Sequence, residues 1–200
     1  SITNTGNANL QPDVVWIKNR NSTQNHYLYD STRGANVQLL PADTAGETTV
    51  ADRMQAFQTD GFQVGSSSEV NYNSYTYVGW QWKATAGTTA SNGNGSITST
   101  VQANTTAGFS IVKWTGTGSA ATIGHGLGVA PQMIIVKNLD KSAQWGVYHY
   151  KVGNTKYLAL NDADAAATYS GYWNDTSPTT TVFSVGSDGD ISGGNGEEVI

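Results

Sequence analysis

The chain contains no cysteine among its 200 residues. Disulfide bonds and thiolate metal sites are therefore excluded, and stability must come from packing alone. Charged residues are also scarce, at 12%, and the formal net charge is −5. Because the ten lysines and arginines are dispersed and form no basic stripe, we expect no nucleic-acid partner.

Long hydrophobic runs are absent as well. No apolar run approaches the roughly 20 residues that a membrane-spanning helix requires, and the first residues lack a charged-then-apolar secretion signal. We therefore expect no membrane insertion. Glycine is abundant, at 23 residues, and serine, threonine and asparagine are also frequent. Such a composition predicts a neutral surface rich in hydroxyl and amide groups, which suits assemblies and extracellular fibres.

One sequence pattern occurs twice. Residues 11–18 read QPDVVWIK, residues 130–137 read APQMIIVK, and each octet continues into an asparagine. Residues 26–30 and 145–149 match at the same offset of 119 positions (12 to 131), and residues 61–66 match 182–187 at 121 (62 to 183). A period near 120 is the size of a domain, so the repeat predicts two similar units.

The repeat also sets the expected boundaries. We expect a first β unit at residues 1–84, a linker and edge strand at 85–107, and a second β unit at 108–200. The run Phe109–Trp114 precedes the second octet, but no matching run precedes the first, and residues 76–82 match only the final residues 197–200 in part. We therefore expect that the first unit lacks its opening strand and the second its last strand. A neighbouring chain segment or subunit would complete both sheets.

Strand signals dominate both units. Runs of β-branched and aromatic residues are bounded by Gly, Asn, Asp or Pro, which predicts an all-β fold made of two tandem β-sandwich units of jelly-roll or lectin-like type. The runs at Val14 and Met133 are the predicted core strands, and the continuous apolar run at Val14 suggests cover on both faces. The spacing of apolar residues in 50–58 also fits a helix, but Pro178 in the second copy favours strand or loop.

Paired carboxylates are the first candidates for chemistry. Asp162 with Asp164, and Asp188 with Asp190, have the i, i+2 spacing of one strand face, yet both pairs lie among turn-forming residues and are interpreted as turn aspartates. Asp188 and Asp190 with loop carbonyls are weak candidates for a Ca²⁺ site, and Ca²⁺ is the one cofactor left open. No acidic motif of glucanase type is present, so we predict no catalytic residues and no enzyme activity. His125 lies in a glycine-rich turn, which predicts a structural hydrogen bond to the backbone.

Aromatic residues are the most suggestive population. Five of them lie within residues 72–82, and Trp80 and Trp82 share one face of a regular strand. Burial in the core is the favoured interpretation for most of these five, and exposure for stacking on sugar rings is the alternative. Aromatics assigned to loops are the predicted ligand or interface contacts: Tyr27, Tyr29, Tyr148, Tyr150, Tyr169, Tyr172 and Trp173.

Several separate motifs resemble a known family. Residues 12–20 (PDVVWIKNR), 30–35 (DSTRGA), 60–62 (DGF), 77–84 (YVGWQWKA) and 125–131 (HGLGVAP) are similar to a domain of unknown function. That domain recurs, often in tandem, in structural proteins of marine tailed phages, often beside lectin-like or SPRY-like modules. The first copy departs from the pattern where residues 6–10 read GNANL in place of the HGLG of the second copy. The resemblance provides no catalytic residues.

The resemblance implies a non-enzymatic virion structural protein, a tail fibre or other surface appendage, located in the virion and outside the cell. Its expected partners are other virion subunits, in a homo-oligomer, and a host surface glycan or receptor. Two alternatives stay open. One is a carbohydrate-binding module of a secreted bacterial protein, which would use the same aromatics. The other is a tailspike-type polysaccharide depolymerase, which needs two carboxylates that meet in a groove.

Overall fold

The computed structural model describes residues 1–6 and 9–200. Asn7 and Ala8, which lie where the first copy departs from the family pattern, are outside the described residues. Strands make up 38% of the structure and helices 6%, so the predicted all-β class is confirmed. The chain divides into two compact units. The first comprises Ser1–Ala42 and Glu47–Thr88, and the second comprises Asp43–Gly46 and Thr89–Ile200.

The described residues of the first unit form eight strands and one short helix. These elements are β1 (Ile2–Thr3), β2 (Val14–Asn19), β3 (His26–Asp30), β4 (Val37–Leu39), β5 (Thr48–Thr49), β6 (Met54–Gln58), β7 (Gly61–Val64), α1 (Ser68–Asn71) and β8 (Tyr77–Trp82). The strands form a five-stranded sheet in the order β5-β4-β3-β2-β8 and a three-stranded sheet in the order β1-β7-β6. Each pairing between these strands is antiparallel, and four of the six join strands that follow one another in sequence, where short connections favour this direction.

The core of the first unit lies between these two sheets. On β2, Val15 and Ile17 are buried while Trp16 and Lys18 point to the opposite face and stay partly accessible. This alternation follows from the pleat of a strand. Phe62 of the second sheet belongs to the same buried cluster as Val15 and Ile17, so the unit has a sandwich-like arrangement. The segment at residues 50–58 contains a strand, as favoured over the helix.

The described residues of the second unit form ten strands and two short helices. They are β9 (Ala90–Asn92), β10 (Ser99–Asn104), β11 (Phe109–Thr115), β12 (Ala121–Gly124), β13 (Met133–Val136), β14 (Gly146–His149), β15 (Lys156–Ala159), β16 (Ala167–Thr168), α2 (Ser170–Trp173), β17 (Val182–Val185), α3 (Gly189–Ser192) and β18 (Glu198–Val199). Three antiparallel sheets result, in the orders β18-β11-β10-β9, β12-β17 and β13-β14-β15-β16. Their core is rich in aromatic rings, among them Trp114, Tyr148, Trp173 and Phe183.

The strand predicted as the core of the second unit has one uncovered face. Met133 is 54% exposed and Ile135 is 37% exposed, whereas Val136 is buried. The interpretation of this strand as a core strand is therefore wrong for its outward residues. Continuous apolar sequence does not reveal whether a second layer covers a face, because that depends on the rest of the fold. The jelly-roll form of the units and their tandem arrangement stay predictions.

Among the described residues, no helix is long and apolar enough to cross a membrane.

Candidate functional site

Three tryptophans lie together on the outward face of the five-stranded sheet. In the register between β2 and β8, Trp16 stands opposite Trp80 and Val14 stands opposite Trp82. Because side chains alternate along a strand, these residues point away from the buried Val15. The set Trp16, Trp80 and Trp82 is called the indole face below.

The indole face is accessible to solvent. Trp80 is 45% exposed, Trp82 is 38% exposed and Trp16 is half-buried. The Trp16 and Trp80 rings meet edge to face, with centroids 6.0 Å apart and planes at 72°. This is a favourable geometry for an aromatic pair, so the Trp16 ring supports the more exposed Trp80 ring.

His26 fixes the orientation of Trp16. The Trp16 indole N–H donates to Nδ1 of His26 at 2.9 Å, and the two rings meet edge to face at 5.8 Å. Burial, and then the nearby charge of Lys18, lower the pKa of His26 from its usual value of 6.5. The imidazole is therefore neutral at pH 7. Since its Nδ1 accepts a hydrogen bond, its proton lies on Nε2, which is left as a donor.

Lys18 places a positive charge beside His26, the hydrogen-bond partner of Trp16. Its ammonium donates to the carbonyl oxygens of Asn19 at 2.6 Å and Ser22 at 2.9 Å. In the register of the sheet, Lys18 pairs with His26 on β3 and with Val78 on β8. The face thus combines broad apolar rings with nitrogen donors at one end. Such a surface suits a neutral ligand that has both apolar and hydroxyl faces.

The exposure of this region differs from the prediction for residues 72–82. Tyr72, Tyr75, Trp80 and Trp82 are all exposed, so the favoured interpretation of burial is wrong for these four. The two tryptophans lie on β8, which is the edge strand of its sheet, and their side chains point to its uncovered face. Tyr72 and Tyr75 follow α1 in a turn, with ring centroids 4.7 Å apart.

Most of the predicted loop aromatics lie in the cores. Tyr27 and Tyr29 lie on β3 and Tyr148 on β14, and all three are buried. Tyr172 and Trp173 lie on α2 and are also buried in the core of the second unit. The structure thus corrects the placement of these five rings, because a buried ring has no face to offer a ligand.

Two of the predicted contact aromatics are exposed. Tyr150 is accessible beside Lys151, whose ammonium lies 5.0 Å from the centre of the ring. Tyr169 is accessible and its hydroxyl group donates to Asp188 at 3.2 Å. Both lie in the second unit, and their role as contacts stays a prediction.

The two candidate calcium ligands have separate structural partners. The Asp188 carboxylate accepts from the backbone N–H of Asp190 at 2.8 Å and caps α3. The Asp190 carboxylate accepts from the backbone N–H of Gln144 at 3.0 Å. Within residues 1–6 and 9–200, no three carboxylate or histidine side chains are grouped as a metal site would require. Asp162 and Asp164 are exposed between β15 and β16, as turn aspartates would be.

His125 is a structural residue, as predicted. Its ring is buried, its Nδ1 accepts from the backbone N–H of Leu127 at 3.2 Å, and its Nε2 lies 3.2 Å from the carbonyl oxygen of Thr179. Burial lowers the pKa of His125, which favours the neutral ring. Both ring nitrogens therefore have backbone partners, and the prediction of a hydrogen bond to the backbone is confirmed.

A small apolar cavity in the first unit is a weaker candidate than the indole face. Its lining includes Ile17, Phe62, Val70 and Tyr77, and none of its lining residues is an acid, a lysine, an arginine or a histidine. Ligand pockets usually combine apolar walls with a few convergent polar groups, and this cavity has too few of them to orient a ligand.

Comparison with known proteins identifies a family for this chain. No curated protein matches it, and no solved structure matches it. One family model, described as a domain of unknown function, matches residues 1–200. Because that match spans the whole chain, the protein belongs to the DUF7483 family, whose function is not known.

Proposed function

We propose that this protein is a non-enzymatic structural component of a phage virion, a tail fibre or similar surface appendage, that contacts host surface glycan through the indole face. The observation that carries the glycan part is the placement of Trp16, Trp80 and Trp82 on one accessible sheet face. The virion part rests on the resemblance of the sequence motifs to phage structural domains.

The chemistry of the face supports a sugar as the ligand. A pyranose ring has apolar C–H faces that stack on indole rings and hydroxyl groups on its rim that accept or donate hydrogen bonds. Trp80 offers the most accessible of the three rings, and Lys18 and His26 lie next in the sheet as nitrogen groups. Contiguous exposed apolar surface of this kind usually marks a binding surface.

The composition of the chain supports shallow and repeated contacts. Only 12% of residues are charged, and the rings of the indole face are accessible on a sheet surface. A single contact of this kind binds weakly. Many copies of one subunit on an appendage would raise the apparent affinity through effective concentration, without any new contact.

A glycan array with the purified chain in multivalent form tests this function. The wild type should bind a subset of host-type surface polysaccharides, and Trp80→Ala should reduce the signal about fivefold or more, since truncation of a contact ring costs roughly 1 kcal/mol or more. Met133→Ala is the matched control, because Met133 is 54% exposed, lies in the second unit and is not one of the predicted contacts. Equal binding by Trp80→Ala and wild type would reject the indole face as the glycan site.

A carbohydrate-binding module of a secreted bacterial protein is the second candidate, because the indole face serves it equally well. Mass spectrometry of purified phage particles separates the two. Peptides of this chain in the particle support the virion component, and peptides found instead with a secreted hydrolase support the module. A depolymerase has less support, since Asp188 and Asp190 each bind a backbone N–H.

A further inference from the structure

A buried lysine in the second unit binds a segment of main chain. Lys137 is fully buried, and its ammonium donates to the carbonyl oxygens of Thr44 at 2.9 Å, Ala143 at 3.0 Å and Lys141 at 3.4 Å. Burial lowers the pKa of Lys137 to about 8. Thr44 belongs to the short segment Asp43–Gly46, which is part of this unit. A buried ammonium requires such acceptors, so the segment and Lys137 depend on each other.

Further donors fix the same segment. The Trp145 indole N–H donates to the carbonyl oxygen of Asp43 at 2.9 Å, and the backbone N–H of Ala143 donates to the carbonyl oxygen of Thr44 at 2.9 Å. The Ser142 hydroxyl donates to the Thr44 hydroxyl at 2.8 Å. The second unit therefore recognises Asp43 and Thr44 mainly through their main-chain carbonyl groups, which is a recognition mode that tolerates different side chains.

Gly46 closes the segment against the loop after β13. A Cβ atom at this position would lie 2.5 Å from the carbonyl oxygen of Leu139, which is closer than two such atoms can approach. The fit thus favours glycine at the fourth position of the segment.

The first unit contains the same loop at the equivalent place. Lys18 precedes Lys137 by 119 positions, and its ammonium donates to Ser22 as that of Lys137 donates to Lys141. The next residue is a buried asparagine in both loops. Asn19 Oδ1 accepts from the backbone N–H two residues later at 2.8 Å, and Asn138 Oδ1 does so at 3.0 Å. The two loops therefore share these two internal hydrogen bonds.

The loop of the first unit also has the corresponding donors. His26 takes the place of Trp145, and its Nε2–H is a donor because its Nδ1 accepts from Trp16. Thr23 takes the place of Ser142 and is exposed. The Lys18 ammonium has two acceptors among the described residues, so one of its three N–H bonds is available. Lys18, Thr23 and His26 are called the Lys18 site below.

The second unit contains the counterpart of the bound segment. Leu39 pairs with Leu28 in the first unit, and Leu158 pairs with Val147 in the second, again at an offset of 119. Asp162–Ala165 is thereby the equivalent of Asp43–Gly46, and its residues are exposed. The Asp43 side chain accepts from the N–H of Ala45, and the Asp162 side chain accepts from that of Ala163.

We propose that the Lys18 site binds the segment Asp162–Ala165 of a second copy of this chain. The contact joins different surfaces of the two copies, so its repetition builds a linear array, as head-to-tail contacts do. Asp162 and Asp164 would meet Lys18 and Arg20, which is a complementary pairing of charge. The proposal deepens the part of the proposed function that concerns many copies of one subunit on an appendage. Lys18 and His26 also border the indole face, so the test follows association and glycan binding separately.

The two segments differ at their fourth residue, and this difference predicts the strength of the contact. Ala165 stands where the bound segment has Gly46, and its methyl group would approach the carbonyl oxygen of Arg20, the equivalent of Leu139. The natural contact is therefore weak, and Ala165→Gly should strengthen it. A synthetic peptide with the sequence of residues 41–48, PADTAGET, carries the glycine and should bind the Lys18 site in competition with the second copy.

Sedimentation velocity over a concentration series tests the contact. The wild type should associate, Ala165→Gly should raise the association constant about tenfold, and Lys18→Met and Thr23→Val should each lower it at least fivefold. Lys151→Met is the matched control, since Lys151 is an exposed lysine in the second unit, and it should associate like the wild type. The peptide should dissociate the Ala165→Gly assembly.

The proposal is overturned if Ala165→Gly associates no better than the wild type, or if Lys18→Met and Thr23→Val associate as the wild type does. Thr23→Val keeps the test valid if Lys18→Met does not fold, because Thr23 is exposed. Trp80→Ala should still associate while it loses glycan binding. Failure of the contact and failure of the glycan function are therefore observed separately.

Discussion

Trp16 donates its indole N–H to Nδ1 of His26 at 2.9 Å, and this bond is possible only while the imidazole is neutral. The pKa of His26 is lowered by burial first and by the charge of Lys18 second. Protonation places a hydrogen on Nδ1, removes the acceptor and adds a cation beside Lys18. Acidification should therefore release the Trp16 ring from its fixed orientation.

The sign of the pH dependence follows from this shift. The folded pKa lies below the usual 6.5, so the unfolded chain binds more protons as the pH falls from 6.5 to the folded pKa. The contribution of His26 is complete above pH 6.5 and is lost as the pH falls through the folded pKa. We expect the tryptophan fluorescence of the first unit and its glycan binding to change together in that interval.

His26→Gln is the control for this titration. The glutamine amide oxygen accepts from Trp16 at every pH, so the variant should bind glycan with no step below pH 6.5. A step of equal size in His26→Gln would assign the pH dependence to another group.

The buried carboxylate of Asp13 binds the backbone of the segment that follows β8. Asp13 is fully buried, and its two oxygens accept from the N–H groups of Ala84 at 2.7 Å, Ala86 at 2.9 Å and Gly87 at 2.7 Å. We expect Asp13→Asn to lower the free energy of unfolding by about 2–3 kcal/mol, because the amide nitrogen cannot accept from these donors. Urea unfolding measures this loss. Asp162→Asn, in an exposed turn, should change stability by less than about 0.5 kcal/mol.

The local structure of this chain was largely predictable from its sequence. The strands at Val14 and Met133 lie where β-branched and aromatic runs predicted them, because strand formation depends on neighbours in sequence. The salt bridge between Asp30 and Arg33 is local in the same sense, since its partners are three residues apart.

The location of the candidate site was less predictable. Tyr27 and Tyr29 alternate with His26 and Leu28 on β3, and the sequence gives no sign which of the two faces is covered. Trp80 and Trp82 lie on one face of β8, and the sequence again does not indicate whether that face is covered. In the structure it is exposed. Burial depends on how distant strands pair and pack. For this reason the tyrosines were predicted as contacts but are buried, and the tryptophans were predicted as buried but are exposed.

The lowered pKa of Glu197 predicts a second pH dependence of stability, at lower pH than that of His26. Its Oε2 accepts from the Asn138 amide at 2.7 Å, the N–H of Gly194 at 2.7 Å and the Lys141 ammonium at 3.0 Å. These bonds, that from Asn138 first, lower the pKa of Glu197 to about 2. The stabilisation is complete above pH 4.5 and is lost as the pH falls through 2.

Thermal unfolding of wild type and Glu197→Gln between pH 2 and 6 checks this expectation. The wild type should be more stable than the variant at pH 6, and the difference should shrink as the pH falls from 4.5 towards 2. A difference that stays constant across this interval would contradict the role of the Glu197 charge.

Trp173 distinguishes a core aromatic from a ligand contact. It is almost fully buried and meets the Tyr148 ring edge to face, with centroids 5.8 Å apart. Trp173→Ala should lower the free energy of unfolding by about 3–5 kcal/mol, as truncation of a large core side chain does.

The Trp173 Nε1 has no acceptor among the described residues, so Trp173→Phe removes an unpaired buried donor. This variant should therefore lose clearly less free energy of unfolding than Trp173→Ala. Urea unfolding gives both values, and glycan binding by the folded Trp173→Phe should equal that of the wild type. Lost glycan binding with unchanged stability would instead make Trp173 a surface contact, as its sequence position first suggested.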